Sequence, residues 1–190
     1  MKNIKYKMCK LCEKNPVYEF TNQRRLCKNC YIRWFEKKFL YTIRKFNLIK
    51  KSDTILIPTK KDFRSAVLKN LFTFYTEKNP YIKIVKSKTS KYNKTASKET
   101  TDLIAYKITK AITNKKIKEL KSTGPKEKNI IRPLYLFLDK EVLLYAKLKK
   151  IKHLKPKTKK KDKIENIIET LEQKHPEIKQ AIVQSGLKLG

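Results

Sequence analysis

Four cysteines, all within the first 30 residues, constrain this chain more than any other feature. They stand as Cys9-Lys-Leu-Cys12 and Cys27-Lys-Asn-Cys30, a C-x2-C-x14-C-x2-C spacing. Each C-x2-C pair puts two thiolates on one turn, and two such pairs complete the closed tetrahedral shell of a structural zinc. Two disulfides would use the same four thiols. Met1 to Lys10, however, lacks the apolar stretch of roughly 7–15 residues that a secretory signal needs, and a reducing cytosol disfavours disulfides. The expected cofactor is therefore Zn2+ held by Cys9, Cys12, Cys27 and Cys30. A four-thiolate shell leaves no open position for catalysis, and His153 and His175 are remote in sequence. Metal binding worth about 10–16 kcal/mol can fold such a ribbon with almost no core. Between the pairs, Val17 to Phe20 alternates like a short strand and Asn22 to Arg25 reads as the turn.

Charge narrows the partners. The chain has 49 Lys+Arg against 17 Asp+Glu, a net +32, yet 39% of its 190 residues are apolar and 10% aromatic. It can bury a core, so it is not a disordered basic tail. A compact fold under so much self-repulsion calls for a polyanionic partner, nucleic acid first. No run of about 18 apolar residues offers a membrane span, and the expected location is cytoplasmic.

Beyond the ribbon, residues 1–30, the pattern alternates helix and strand. Ile32, Phe35, Phe39, Ile43 and Phe46 recur in steps of three and four, predicting a helix over Tyr31–Asn47 within a basic linker region, 31–50, with Arg33, Lys37 and Arg44 on its opposite face. Trp34 on this helix reads as a packing anchor. In the region 51–152, Thr54–Ile57, Tyr81–Val85 and Asn129–Arg132 are strand candidates. Helices are expected from about Lys61, through Phe63, Val67, Leu71 and Phe74; over Thr101–Leu120; and from an Asp139 N-cap to Ile151. Ser87–Lys98 reads as a polar, lysine-rich loop, and Lys155–Lys163 as a basic loop. In the region 153–190 two short helices follow that loop. Short apolar strands alternating with longer helices predict an α/β fold, a parallel sheet wrapped by helices with a zinc ribbon in front.

The order of these pieces resembles the tRNA 2-thiouridine synthetases of the TtuA type and the cytoplasmic tRNA 2-thiolation proteins. A four-cysteine ribbon is followed by Tyr31-Ile-Arg-Trp-Phe-Glu-Lys-Lys-Phe and Thr42-Ile-Arg-Lys-Phe-Asn-Leu48, then a strand and a phosphate-loop position. Ile131-Arg-Pro-Leu134, Asp139-Lys-Glu-Val142, Leu144-Tyr-Ala146 and Lys174-His-Pro resemble that family's last strand and helices. The chain looks like a shortened member. The resemblance implies a nucleotide loop of the type Ser-Gly-Gly-Lys-Asp-Ser after the first strand, whose glycines let backbone N–H groups approach phosphate. The stretch here is Pro58-Thr-Lys-Lys-Asp62-Phe-Arg-Ser65. Lys61 and Asp62 match, but bulkier residues replace both glycines and Pro58 has no N–H. A degenerate loop would thus use Lys60, Lys61, Asp62, Arg64 and Ser65, with ATP held by point charges if at all. Where the family carries a Gly-His-Asn-x-Asp-Asp motif, only Asp102 remains, and no cysteine lies outside the ribbon.

This combination implies a degenerate ATP-pyrophosphatase-like domain without catalytic residues, an accessory tRNA-binding protein of uridine 2-thiolation that supports a catalytic subunit. Two alternatives stand beside it: a minimal ATP-dependent tRNA 2-thiouridine synthetase, and a zinc-ribbon RNA-binding protein of a ribonucleoprotein assembly. In each, Arg24, Arg25, Lys28, Arg33, Lys37, Lys38, Arg44 and Lys45 are the expected phosphate contacts, positioning RNA rather than reading bases.

Overall fold

The computed structural model describes residues 8–57, 62–87, 91–154 and 162–189. Its elements run β1 (Pro16–Glu19), β2 (Arg25–Cys27), α1 (Lys28–Lys45), β3 (Thr54–Leu56), α2 (Phe63–Lys78), β4 (Lys83–Val85), β5 (Lys94–Ala96) and α3 (Thr101–Thr113). A 3-10 turn at Ile117–Ser122, β6 (Lys126–Glu127), β7 (Ile130–Ile131), α4 (Asp139–Leu148), α5 (Lys163–Lys174) and α6 (Ile178–Leu189) complete them. The ribbon is an antiparallel β1–β2 pair. The main sheet has the order β4-β3-β5-β7-β6, parallel except for its edge strand β6. The expected α/β architecture is the one found. Among the described residues no helix is long and apolar enough to cross a membrane.

The sheet's third strand, β5, lies inside the stretch expected to be loop, and this is the main correction to the sequence reading. Its residues are Lys-Thr-Ala, which carry neither an apolar run nor a β-branched cluster. What admits Lys94 to the centre of a sheet is a pair of acceptors for its ammonium. Its ammonium donates to the Leu48 carbonyl at 2.7 Å and pairs with Asp53 at 2.6 Å, while Asp53 also accepts from the Lys50 backbone N–H and from Asn93. A buried charge held this way is tolerable; alone it would not be. Two smaller differences concern helix ends. The third helix stops at Thr113 rather than Leu120, because Lys115 takes a left-handed backbone, φ 56°, and a 3-10 turn follows. Asp139 is the first residue of α4 rather than its cap, and the helix ends at Leu148.

Helix α1 packs into the core. It buries Tyr31, Phe35, Phe39, Thr42 and Ile43, and Phe35 stacks on Tyr145 of α4 with ring centroids 4.2 Å apart. Residues of α1, α2, α4 and the sheet form one apolar cluster, which also contains Cys9, Leu26 and Cys27 of the ribbon. A second cluster joins α3, Tyr135 and Val183 of α6. There α6 comes close enough that a Cβ on Gly186 would meet the Ile108 side chain at 2.5 Å.

Candidate functional site

The ribbon brings the four cysteines together as their spacing predicts. One thiol of each lies within 4.8 Å of all the others, with Cys12 and Cys27 sulfurs 3.3 Å apart and Cys12 and Cys30 sulfurs 3.5 Å apart. Four sulfurs about 2.3 Å from one ion would sit slightly wider than this, at about 3.8 Å, so the set fits a tetrahedral metal. The local chain makes the geometry. The Cys9 carbonyl accepts from the Glu13 N–H at 3.0 Å, closing the first knuckle, and Cys27 and Cys30 straddle the start of α1. Burial opposes ionisation of Cys9, but backbone hydrogen bonds from Cys27 and Leu11 outweigh it and bring that thiol down to about 6. Burial pushes the Cys30 thiol up to about 12. Four thiols in contact cannot all ionise without a cation among them.

The eight cations expected to grip phosphate do not form one set. Arg33, Lys37 and Arg44 are exposed along α1, and none has an ion-pair partner among the described residues. Lys28 is exposed at the start of the helix and Lys45 at its end. Arg24 lies over the Phe20 ring at 4.3 Å, and Arg25 is paired with Glu19 at 2.8 Å. Lys38 is turned inward, apart from the exposed cations of the helix. Its ammonium sits 4.8 Å from the ring centres of both Trp34 and Phe137 and 2.7 Å from the Glu141 carboxylate. Burial pulls its pKa down against the pull of Glu141. The single acidic residue of α1, Glu36, is also turned to the domain, accepting from Tyr145 at 3.0 Å and facing Lys149. The outward stripe of α1 is therefore cationic alone. Trp34 is the packing anchor its pattern suggests, against Tyr18, Phe20 and Tyr31.

The second candidate region lies at the carboxyl ends of the parallel strands. Strand β3 lies between β4 and β5, so the strand order reverses beside it, and the crevice outside such a switch point is where such sheets take ligands. Lys60 and Lys61 lie outside the described residues. Asp62 caps α2, accepting from the Ser65 N–H at 3.3 Å and the Ser65 hydroxyl at 3.0 Å, and Lys98 pairs with it at 2.6 Å across the crevice. Burial opposes its ionisation, but Lys98 and Ser65 hold the carboxyl below its usual range. Arg64 makes a two-pronged pair with Asp139, which also accepts from Thr100 at 2.8 Å. Asp102, at the start of α3, accepts from the Asp139 N–H at 2.7 Å and pairs with Lys179 of α6 at 2.8 Å. Burial, then the charge of Asp139, pushes the Asp102 carboxyl up.

A cavity of about 500 Å3 opens beside these pairs, and five carboxylates line it: Asp102, Asp139, Asp162, Glu165 and Glu169. Among the described residues its lining cations are Arg64 and Lys179, both committed to carboxylates. The carboxylate of Asp62 already takes the N–H a phosphate would use at the start of α2. Asp62, Arg64 and Ser65 are thus gathered at one place, with Asp62 committed to Ser65 and Lys98 and Arg64 committed to Asp139. Sequence reasoning missed Lys98, Asp139 and Lys179 as members of this network. Their only local signal was acidic residues at predicted helix starts, with nothing to mark the cations.

A four-thiol ribbon running through its helix into a parallel α/β sheet defines an α/β protein with the fold of the tRNA thiolases. A solved structure similar to this chain is the U34-tRNA thiolase NcsA from Methanococcus maripaludis with its 4Fe–4S cluster. It matches 96% of this chain and 86% of its own with a TM-score of 0.78 at 18% sequence identity. The shortening relative to that protein is therefore modest. No protein-family model matches the chain, and no curated protein does.

Proposed function

We propose that this protein is an accessory, tRNA-binding member of the tRNA 2-thiolation family that supports a catalytic subunit in the cytoplasm. The observation that carries this reading is the conjunction of a thiolase fold over 96% of the chain with the gathering of all four cysteines into one thiol cluster. A closed shell leaves no thiolate to carry sulfur. The metal proposed is Zn2+, in a structural role, because four thiolates with no open position suit it. The acidic lining of the cavity and the self-capped start of α2 argue against a triphosphate there, whose charge would meet carboxylates rather than free donors among the described residues. The cationic stripe of α1 supplies the surface for tRNA phosphates.

The test is a thiolation assay with the purified chain, alone and with a catalytic relative from the same cells, alongside tRNA binding over a range of salt. The chain alone is expected to be inactive and to raise the activity of the relative. If about six phosphates are contacted, affinity should fall by roughly 10³ between about 50 and 200 mM salt. Reversing Arg33, Lys37 and Arg44 to Glu should remove most of the binding. Conversion of ATP to AMP and pyrophosphate by the chain alone, dependent on tRNA and lost in Lys61→Ala, would replace this reading with the minimal enzyme.

A further inference from the structure

Resting on the proposal that α1 faces RNA, we infer that Tyr41 is a stacking platform for an unpaired nucleobase. Tyr41 is 48% exposed, toward the C-terminal end of a helix whose other large aromatics are turned inward. At 3.6 residues per turn, Arg33, Lys37, Tyr41 and Arg44 fall within an arc of about 80° and along about 16 Å of helix. The ring therefore interrupts a line of exposed cations. Its hydroxyl has no hydrogen-bond partner among the described residues, so the ring is not there to place that group. Lys45 lies over one face of the ring at 5.5 Å, so a base would stack on the other face with a cation close by. Trp34, the other aromatic that could meet a base, is enclosed by Tyr18, Phe20 and Tyr31.

Charge selects the occupant. Glu36 and Lys38 are both turned into the domain, so the stripe offers positive charge without an acid beside it, which suits a phosphate backbone and repels a basic protein surface. A strand tracking such a line places bases at intervals beside the phosphates, and an exposed ring among the cations is what a splayed base stacks on. Bases inside a duplex already have stacking partners and gain nothing from it. The ligand class is thus a single-stranded or looped segment of RNA, with stacking that tolerates any base.

The experiment compares binding of a labelled single-stranded RNA of about 12 nucleotides with binding of its blunt duplex, using the full chain. Tyr41→Ala should weaken the single strand by about tenfold, within the range of base–aromatic stacking, and leave the duplex within about twofold. Tyr41→Phe should keep the affinity, because the ring and not the hydroxyl does the stacking. The slope of affinity against salt should be unchanged in Tyr41→Ala and reduced when Arg33, Lys37 and Arg44 are replaced by Ala. Wild-type single-strand binding by Tyr41→Ala, with binding lost in the triple variant, would refute the platform and leave the RNA face standing. Equal losses on strand and duplex would also refute it. If the triple variant binds both probes as well as wild type, the RNA face itself fails and the platform with it.

Discussion

Lys38→Met is expected to destabilise the protein by about 3–5 kcal/mol, the loss typical of breaking a buried ion pair from one side. The structure sets this scale rather than the sub-kilocalorie scale of a surface pair, because the Lys38 and Glu141 side chains are 19% and 6% exposed. Methionine keeps the stem packed between Trp34 and Phe137 but strips Glu141 of its cation, leaving the Leu138 N–H at 3.0 Å as its main partner. For a chain of this size the loss corresponds to a fall in melting temperature of roughly 6–20 °C. Glu141→Gln keeps an acceptor for Leu138 and strands Lys38 instead. Its ammonium pKa, already lowered by burial, should fall further. A folded-state lysine pKa below the unfolded value means the unfolded chain binds more protons, so this variant should gain stability as pH rises from the folded value toward about 10.4. The double variant removes both charges and should recover most of either loss. Thermal melts across pH for the four proteins make the cycle. A Lys38→Met loss below about 1 kcal/mol, or a double variant no better than the singles, would show that the pair is a solvated surface contact and that Lys38 belongs with the exposed cations of α1 after all.

Three further outcomes follow from the geometry. Metal analysis of protein purified under reducing conditions should give about one zinc per chain, and a strong chelator should collapse the cooperative melt; a metal-free ribbon with two disulfides would refute the site. Asp62→Ala should cost about 0.5–2 kcal/mol through the lost helix cap. Because the Asp62 pKa is lowered in the folded state, its contribution is present above about pH 4 and lost as pH falls further, so the gap between wild type and Asp62→Ala should narrow in acid melts. Lys94→Met should destabilise by several kcal/mol by leaving Asp53 buried without its cation, whereas Lys94→Met combined with Asp53→Asn should lose much less.

The sequence made the ribbon, the alternation of helices and strands and the parallel sheet legible, because each rests on local spacing or periodicity. What it concealed depends on contacts between distant segments. Strand β5 carries a lysine where a central strand ordinarily carries an aliphatic, and its place is explained only by Asp53 and Leu48, more than 35 residues away in sequence. Lys38 and Lys37 are neighbours of the same type, yet one is buried and the other exposed. Helical spacing does separate them, since Lys38 lies one turn from Trp34 and from Thr42 on the inward side, but composition alone counts both as surface charge. Tyr41 was hidden for the opposite reason: an aromatic on an amphipathic helix is ordinarily assigned to the core.

The shared cluster of Cys9, Leu26 and Cys27 with Tyr31, Phe35 and Tyr145 makes the ribbon a wall of the same hydrophobic unit rather than a pendant finger. Metal that binds only the folded form then stabilises the whole chain by mass action, about 4.1 kcal/mol at a thousandfold excess over its dissociation constant. For a domain of ordinary marginal stability that is a large fraction of the total. A cell short of the metal would therefore hold less of this protein, not merely an inactive form of it, because the unfolded fraction is what proteases remove. Its abundance would then follow metal supply, through the packing of three ribbon residues against a helix.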